Sequence, residues 1–115
     1  MEILIIKNPI TKTELERLAK NNYGNMIKGV VDVEKDIIAL GGELHADSEA
    51  VLLQQGSVQE NLWGFNIYTD QPKNKKIEYT SFINIRPSQN NNSLEVQDKI
   101  LKNKIKNIIN RLVGD

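Results

Sequence analysis

Apolar residues fall along this chain in two rhythms, one of period two and one of three to four. Residues 2–7 (EILIIK) form a short β-branched run that predicts a buried strand, stopped by Pro9. A helix start follows. Thr11 is placed as N-cap and Glu14 completes a Thr-x-x-Glu capping box, with Ile10 and Leu15 in the staple positions. Leu15 and Leu18 give this helix its apolar side, and Gly24 offers a left-handed stop. Residues 26–40 hold two apolar arms around Glu34-Lys35-Asp36, with Val30, Val31 and Val33 before and Ile37, Ile38 and Leu40 after. They predict a β-hairpin. Gly41-Gly42 then marks a bend or bulge. Asp47 is expected to cap a helix over 48–55, and Gly56 to end it.

Alternation returns at 62–69 (LWGFNIYT), with Trp63, Phe65 and Ile67 on one face. After a polar loop at 70–76, residues 77–86 (IEYTSFINIR) alternate again. Ile77, Tyr79, Ile83 and Ile85 fall on one face, and Glu78, Asn84 and Arg86 on the other, which predicts a second antiparallel hairpin ended by Pro87. Asn90–Asn92 reads as compositional bias in a loop. Val96, Ile100, Leu101, Ile105, Ile108, Ile109 and Leu112 recur at helical steps and predict one buried face, on a helix that either Ser93 or Asp98 can cap. The order β-α-β-β-α-β-β-α predicts an α+β fold: a five-stranded, mainly antiparallel sheet with helices mainly packed on one face, in a single domain over 1–115.

Bulk properties narrow the setting. At 115 residues the chain suits one core, and 39% hydrophobic with 26% charged residues is globular composition. No run of apolar residues is long enough to span a membrane, and the N-terminus does not have the form of a signal peptide. A cytoplasmic protein is expected. Without cysteine there is no disulfide, thiolate metal site or cysteine nucleophile. Net charge is zero, which argues against general nucleic-acid binding. The halves differ, net −3 over 1–57 and net +3 over 58–115, and this chiefly reflects a basic last helix.

Two segments are polar where the pattern calls only for connection, 43–61 and 84–93. Each lies where a strand meets a loop, the usual mounting for binding groups. Asp47, Ser57, Gln59, Asn61, Trp63, Asn84 and Ser88 are the candidate binding residues, for a protein partner or a small polar or phosphate ligand. Glu43, His45 and Arg86 are the catalytic candidates. With Glu43 and His45 as acid and base and Arg86 holding phosphate, they would suit metal-independent phosphodiester or RNA cleavage. If 42–46 is extended, Glu43, His45 and Asp47 share a face. A lone histidine between carboxylates is thin for a metal site, so neither metal nor cofactor is expected. The plainer readings are an Asp47 cap, a structural His45, a core Trp63 and an Arg86 paired at a sheet edge. No phosphate-loop, dinucleotide or serine-elbow motif occurs.

GGELHAD, QGSVQENLWG and NIRPSQ, with the segments around them, resemble a family of small bacterial proteins known only as a domain of unknown function. The resemblance runs almost end to end. It departs at Asp36, where the pattern has glycine, and near Asp98, where it has proline. It implies a small bacterial cytoplasmic protein and brings no activity and no catalytic residue.

Overall fold

The computed structural model describes residues 1–114. Five strands, β1 (Ile3–Ile6), β2 (Met26–Asp32), β3 (Ile37–Gly41), β4 (Leu62–Tyr68) and β5 (Ile77–Glu78), form one sheet in the order β1-β3-β2-β4-β5. Every neighbouring pair is antiparallel. Three α-helices, α1 (Lys12–Lys20), α2 (His45–Gln54) and α3 (Lys99–Val113), complete an α+β architecture.

One face of the sheet carries the main core. Ile27 and Val31 of β2 and Trp63, Phe65 and Ile67 of β4 meet Leu15 and Leu18 of α1 and Ile105, Ile108, Ile109 and Leu112 of α3. Apart from Ile27, these are residues that the period-two and helical patterns single out, and one residue so singled out lies outside the core. Ile100 is the exception. It stands 100° around the helix from Leu101, off the Leu101–Ile105–Ile108–Leu112 stripe, and is 84% exposed. The start of α3 is set by Asp98, whose Oδ1 accepts from the amides of Ile100 (2.8 Å) and Leu101 (3.1 Å). At α1, Thr11 Oγ1 accepts from the Glu14 amide at 3.1 Å, the cap that the sequence predicts.

The opposite face holds a smaller cluster of Val30, Ala39, Leu52 and Leu62, with Ile3, Ile5, Ile37 and Ile83 packed against it. Helix α2 covers it and begins earlier than expected. Its first residue is His45, and Asp47 lies inside the first turn, where its Oδ2 accepts from the Leu44 amide at 3.1 Å. Asp47 therefore closes the helix start from within instead of preceding it. His45 is helical, so Glu43, His45 and Asp47 do not share an extended face. The early start depends on two glycines in a row with positive φ, Gly41 (+112°) and Gly42 (+90°). A Cβ on Gly41 would lie 1.9 Å from the Glu2 carbonyl oxygen. Only glycine fits between β3 and β1 at that point.

The second hairpin also differs from its pattern. β5 pairs with β4 at only two positions, Asn66↔Glu78 and Ile67↔Ile77. Past Tyr79 the chain leaves the ladder and turns through short 3-10 turns at Phe82–Asn84 and Pro87–Gln89. Ile83 consequently packs on the α2 face, away from Ile77 and Tyr79, which join the main core. The cause lies at Gly64. A Cβ there would come within 2.5 Å of the Ser81 Cβ, so the chain crosses β4 closely where the strand has no side chain.

Candidate functional site

From Thr80 to Asn92 the chain makes a clasp over the start of β4, and polar side chains replace the missing ladder. The Asn84 amide pairs with Gly64 on both sides. Gly64 N–H donates to Oδ1 (2.8 Å), and Nδ2 donates to the Gly64 carbonyl (3.0 Å). Nδ2 also reaches the Tyr79 and Leu94 carbonyls. Asn84 is fully buried, not on a solvent face as strand alternation predicts. Asn91 is a second buried hub. Its Nδ2 donates to the carbonyls of Asn84 (2.8 Å), Ser93 (3.0 Å) and Glu95 (3.2 Å), while Oδ1 accepts from the Gln97 amide (3.0 Å). Asn90 turns the loop with φ +60°. These asparagines are structural parts, not compositional bias; asparagine tolerates the left-handed turn and satisfies buried backbone groups.

Arg86 ties the two polar segments together. Its terminal nitrogens donate to the carbonyls of Gln59 and Leu62 and to Gln89 Oε1, and the guanidinium stacks over Trp63, 3.9 Å from the ring centre. Gln89 Nε2 donates to the Glu60 carbonyl at 2.9 Å. Segments 43–61 and 84–93 do converge, but at Gln59–Leu62, through groups that are consumed in holding them. Trp63 is 3% exposed and belongs to the main core. Ser57 Oγ donates to Asp32 Oδ2 at 2.6 Å, and Asp32 Oδ1 accepts from the Glu34 and Lys35 amides of the β2–β3 turn. That turn holds Asp36 at φ +57°, a conformation that glycine adopts without cost. Asn61 gives its carbonyl to the Val33 amide, and Ser88 is exposed.

His45 sits elsewhere. Its Nε2 lies 2.9 Å from the Phe65 carbonyl and 2.9 Å from Asn66 Oδ1. Two acceptors at one nitrogen assign the proton to Nε2 and leave Nδ1 as a lone pair. Burial pushes the imidazole below its ordinary pKa. The Phe65 carbonyl, Asn66 and Glu78 oppose the shift, and Lys28 adds to it. Asn66 Nδ2 continues the chain to Glu78 Oε1 at 2.8 Å, which Tyr68 also contacts. Glu43 is exposed and contributes its backbone carbonyl, to Tyr23 Oη (2.9 Å) and Lys28 Nζ (3.0 Å). His45 meets β4 at Phe65 and Arg86 meets it at Leu62. Three residues of strand separate these points, on the order of 10 Å. The acid–base pair and the phosphate clamp are not brought to one place.

Between them stands Glu49, one helical turn beyond His45 on α2 and absent from the sequence-based candidates. Placing the helix start at His45 exposes the His-x-x-x-Glu spacing that puts both side chains on one face. Glu49 exerts a field on Arg86 without forming an ion pair, and it opposes the lowering of the Arg86 pKa that burial causes. Glu49 Oε2 and Arg86 Nε are both buried and lack a hydrogen-bond partner among the described residues. Among the described residues, no group of three or more Asp, Glu or His side chains is placed to hold a metal ion. No helix among them is long and apolar enough to cross a membrane.

Two large apolar side chains project from the clasp, Phe82 (83% exposed) and Ile85 (43%). Val58, just before the Gln59 anchor, is 51% exposed. Alternation hides this set, because it counts Ile85 as a core position. No curated protein and no solved structure matches the chain. A family model described as "Protein of unknown function (DUF5674)" matches residues 4–112, and the chain belongs to that family.

Proposed function

We propose that this chain acts as a single, non-catalytic binding domain, and that a polypeptide partner docks on the face formed by α2 and the clasp. The observation that carries this reading is Phe82, a large aromatic held 83% exposed on a loop whose backbone is pinned on both sides. Ser81 N–H donates to the Leu94 carbonyl before it, and Asn84 is fixed to Gly64 after it. Exposed aromatics on rigid backbone lose little entropy on binding and are common interface anchors. Ile85 and Val58 extend the apolar surface. The sequence resemblance supports a bacterial, cytoplasmic setting.

A photo-cross-linking phenylalanine analogue at position 82, introduced in the native host, tests the reading. The expected result is a discrete protein adduct that the same analogue at Ile100, on the other side of the sheet, does not give. An adduct pattern identical at the two positions, or none at 82, would remove the proposal.

A further inference from the structure

Helix α2 is apolar on two sides, and only one of them meets the sheet. Ser48 and Leu52 are buried beneath it. At 100° per residue, Ala46, Ala50 and Leu53 fall within about 60° of one another on the outer side. Ala46 and Ala50 are exposed, and Leu53 is 41% exposed. A carboxylate borders this stripe on each flank, Glu49 toward Arg86 of the clasp and Asp47 toward Gly42. Phe82 continues the apolar surface on the Glu49 side, because the turn that carries it packs on α2.

The charge around the stripe is lopsided. Between Lys35 and Lys73 the chain has no lysine or arginine, while Asp36, Glu43, Asp47, Glu49, Glu60 and Asp70 all fall there. Glu43 precedes α2 and Glu60 follows it on the turn that the clasp grips, both exposed. The nearby cations do not balance them. Lys28 donates to the Glu43 carbonyl at 3.0 Å and lies over the Tyr23 ring. Arg86 is spent on the Gln59 and Leu62 carbonyls and on Trp63, and Lys35 reaches Gly56, past the helix end. Shape narrows the occupant further. Two alanines one turn apart let a second helix axis approach closely. An added strand has no ladder to join here, because the outer side of β4 is taken by the Asn84 amide and Arg86.

Resting on the docking reading above, we propose that the partner segment is an amphipathic helix with lysine or arginine on both flanks of its apolar stripe. It lies along α2 with that stripe on Ala46, Ala50 and Leu53 and against Phe82. Its cations face Asp47 on one side and Glu49 with Glu60 on the other. The apolar contact holds the helix, and the charges set its register and reject acidic helices.

The test combines the cross-linking analogue at position 82 of the full chain with opposite charges at one exposed position. Ala50→Lys and Ala50→Glu both suit a helix and differ chiefly in sign. Ala50→Glu is expected to give at least about fivefold more adduct than Ala50→Lys, the scale of one exposed ion pair. The captured segment, sequenced by mass spectrometry, should carry lysine or arginine at helical spacing beside an apolar stripe. On the chain with Ala50 intact, raising salt in the host extract from about 0.05 to about 0.5 M should lower the yield by screening. That series decides the matter if the melting temperature shows that a variant has lost α2. Equal yields from the two folded variants, a yield that salt does not change, or capture of an acidic segment or of a second copy of this chain overturns the inference and leaves the docking reading standing. No adduct at position 82 with Ala50 intact removes both.

Discussion

The two faces of this sheet are built on different principles. The α1–α3 face is an interlocking of many apolar side chains, each one of a set, and no single member defines the arrangement. The α2 face has a core of four buried apolar residues, and its outer part is held by a few polar side chains with fixed partners. On the first face shape is distributed; on the second it is concentrated. A distributed core yields by degrees when trimmed. A concentrated network leaves buried backbone groups stranded when one member is lost, and the cost of an unpaired buried group exceeds the net worth of the bond itself.

The largest expected effect is at Asn84. Asn84→Ala strands both backbone groups of Gly64 and removes the tie to the Tyr79 carbonyl, and should cost about 3 to 5 kcal/mol in urea unfolding. A loss under about 1 kcal/mol would show that the clasp is not concentrated at all. Smaller by design is Ile109→Val on the other face, expected to cost about 1 kcal/mol. If it approached the Asn84 effect, the contrast between the faces would collapse.

The subtlest effect is that of pH on His45. Because its folded pKa lies below the ordinary histidine value of 6.5, the unfolded chain takes up the proton first as pH falls. Stability is then present above that value and lost as pH drops from 6.5 toward the folded value. The slope cannot exceed about 1.4 kcal/mol per pH unit for one proton. His45→Gln should flatten this part of the stability curve between about pH 5.5 and 7, above the carboxylate range. An unchanged slope in that variant would assign the titration to another group.

The same contrast explains what could be read without coordinates. The α1–α3 face was legible because periodicity is a property of many residues together: Leu15, Leu18, Val31, Phe65, Ile67, Ile105 and Leu112 announce themselves by spacing. Thr11 was legible because a cap is local. The clasp was not. Residues 77–86 alternate well enough to pass for a long strand, and nothing in alternation reveals that Ser81 must cross Gly64. Asn84 looks like a solvent-facing residue until its two partners, twenty positions back, are known. The convergence of 43–61 with 84–93 was foreseeable, but its meaning was not. Arg86 and Ser57 looked available and are instead engaged, Arg86 with the Gln59 and Leu62 carbonyls and Ser57 with Asp32, whereas Gln59 gives its backbone carbonyl and stays exposed. Glu49 was hidden by a three-residue error in where α2 begins.

One further consequence follows from how β4 is flanked. Along its outer side, β5 occupies Asn66 and Ile67, the Asn84 amide occupies Gly64, and Arg86 takes the Leu62 carbonyl. The other border of the sheet is β1, a bare four-residue strand. The far border of the sheet is β5, only two residues long. An antiparallel ladder between copies therefore has four residues to work with at β1 and two at β5, so pairing β1 with β1 is the extension that the sheet favours.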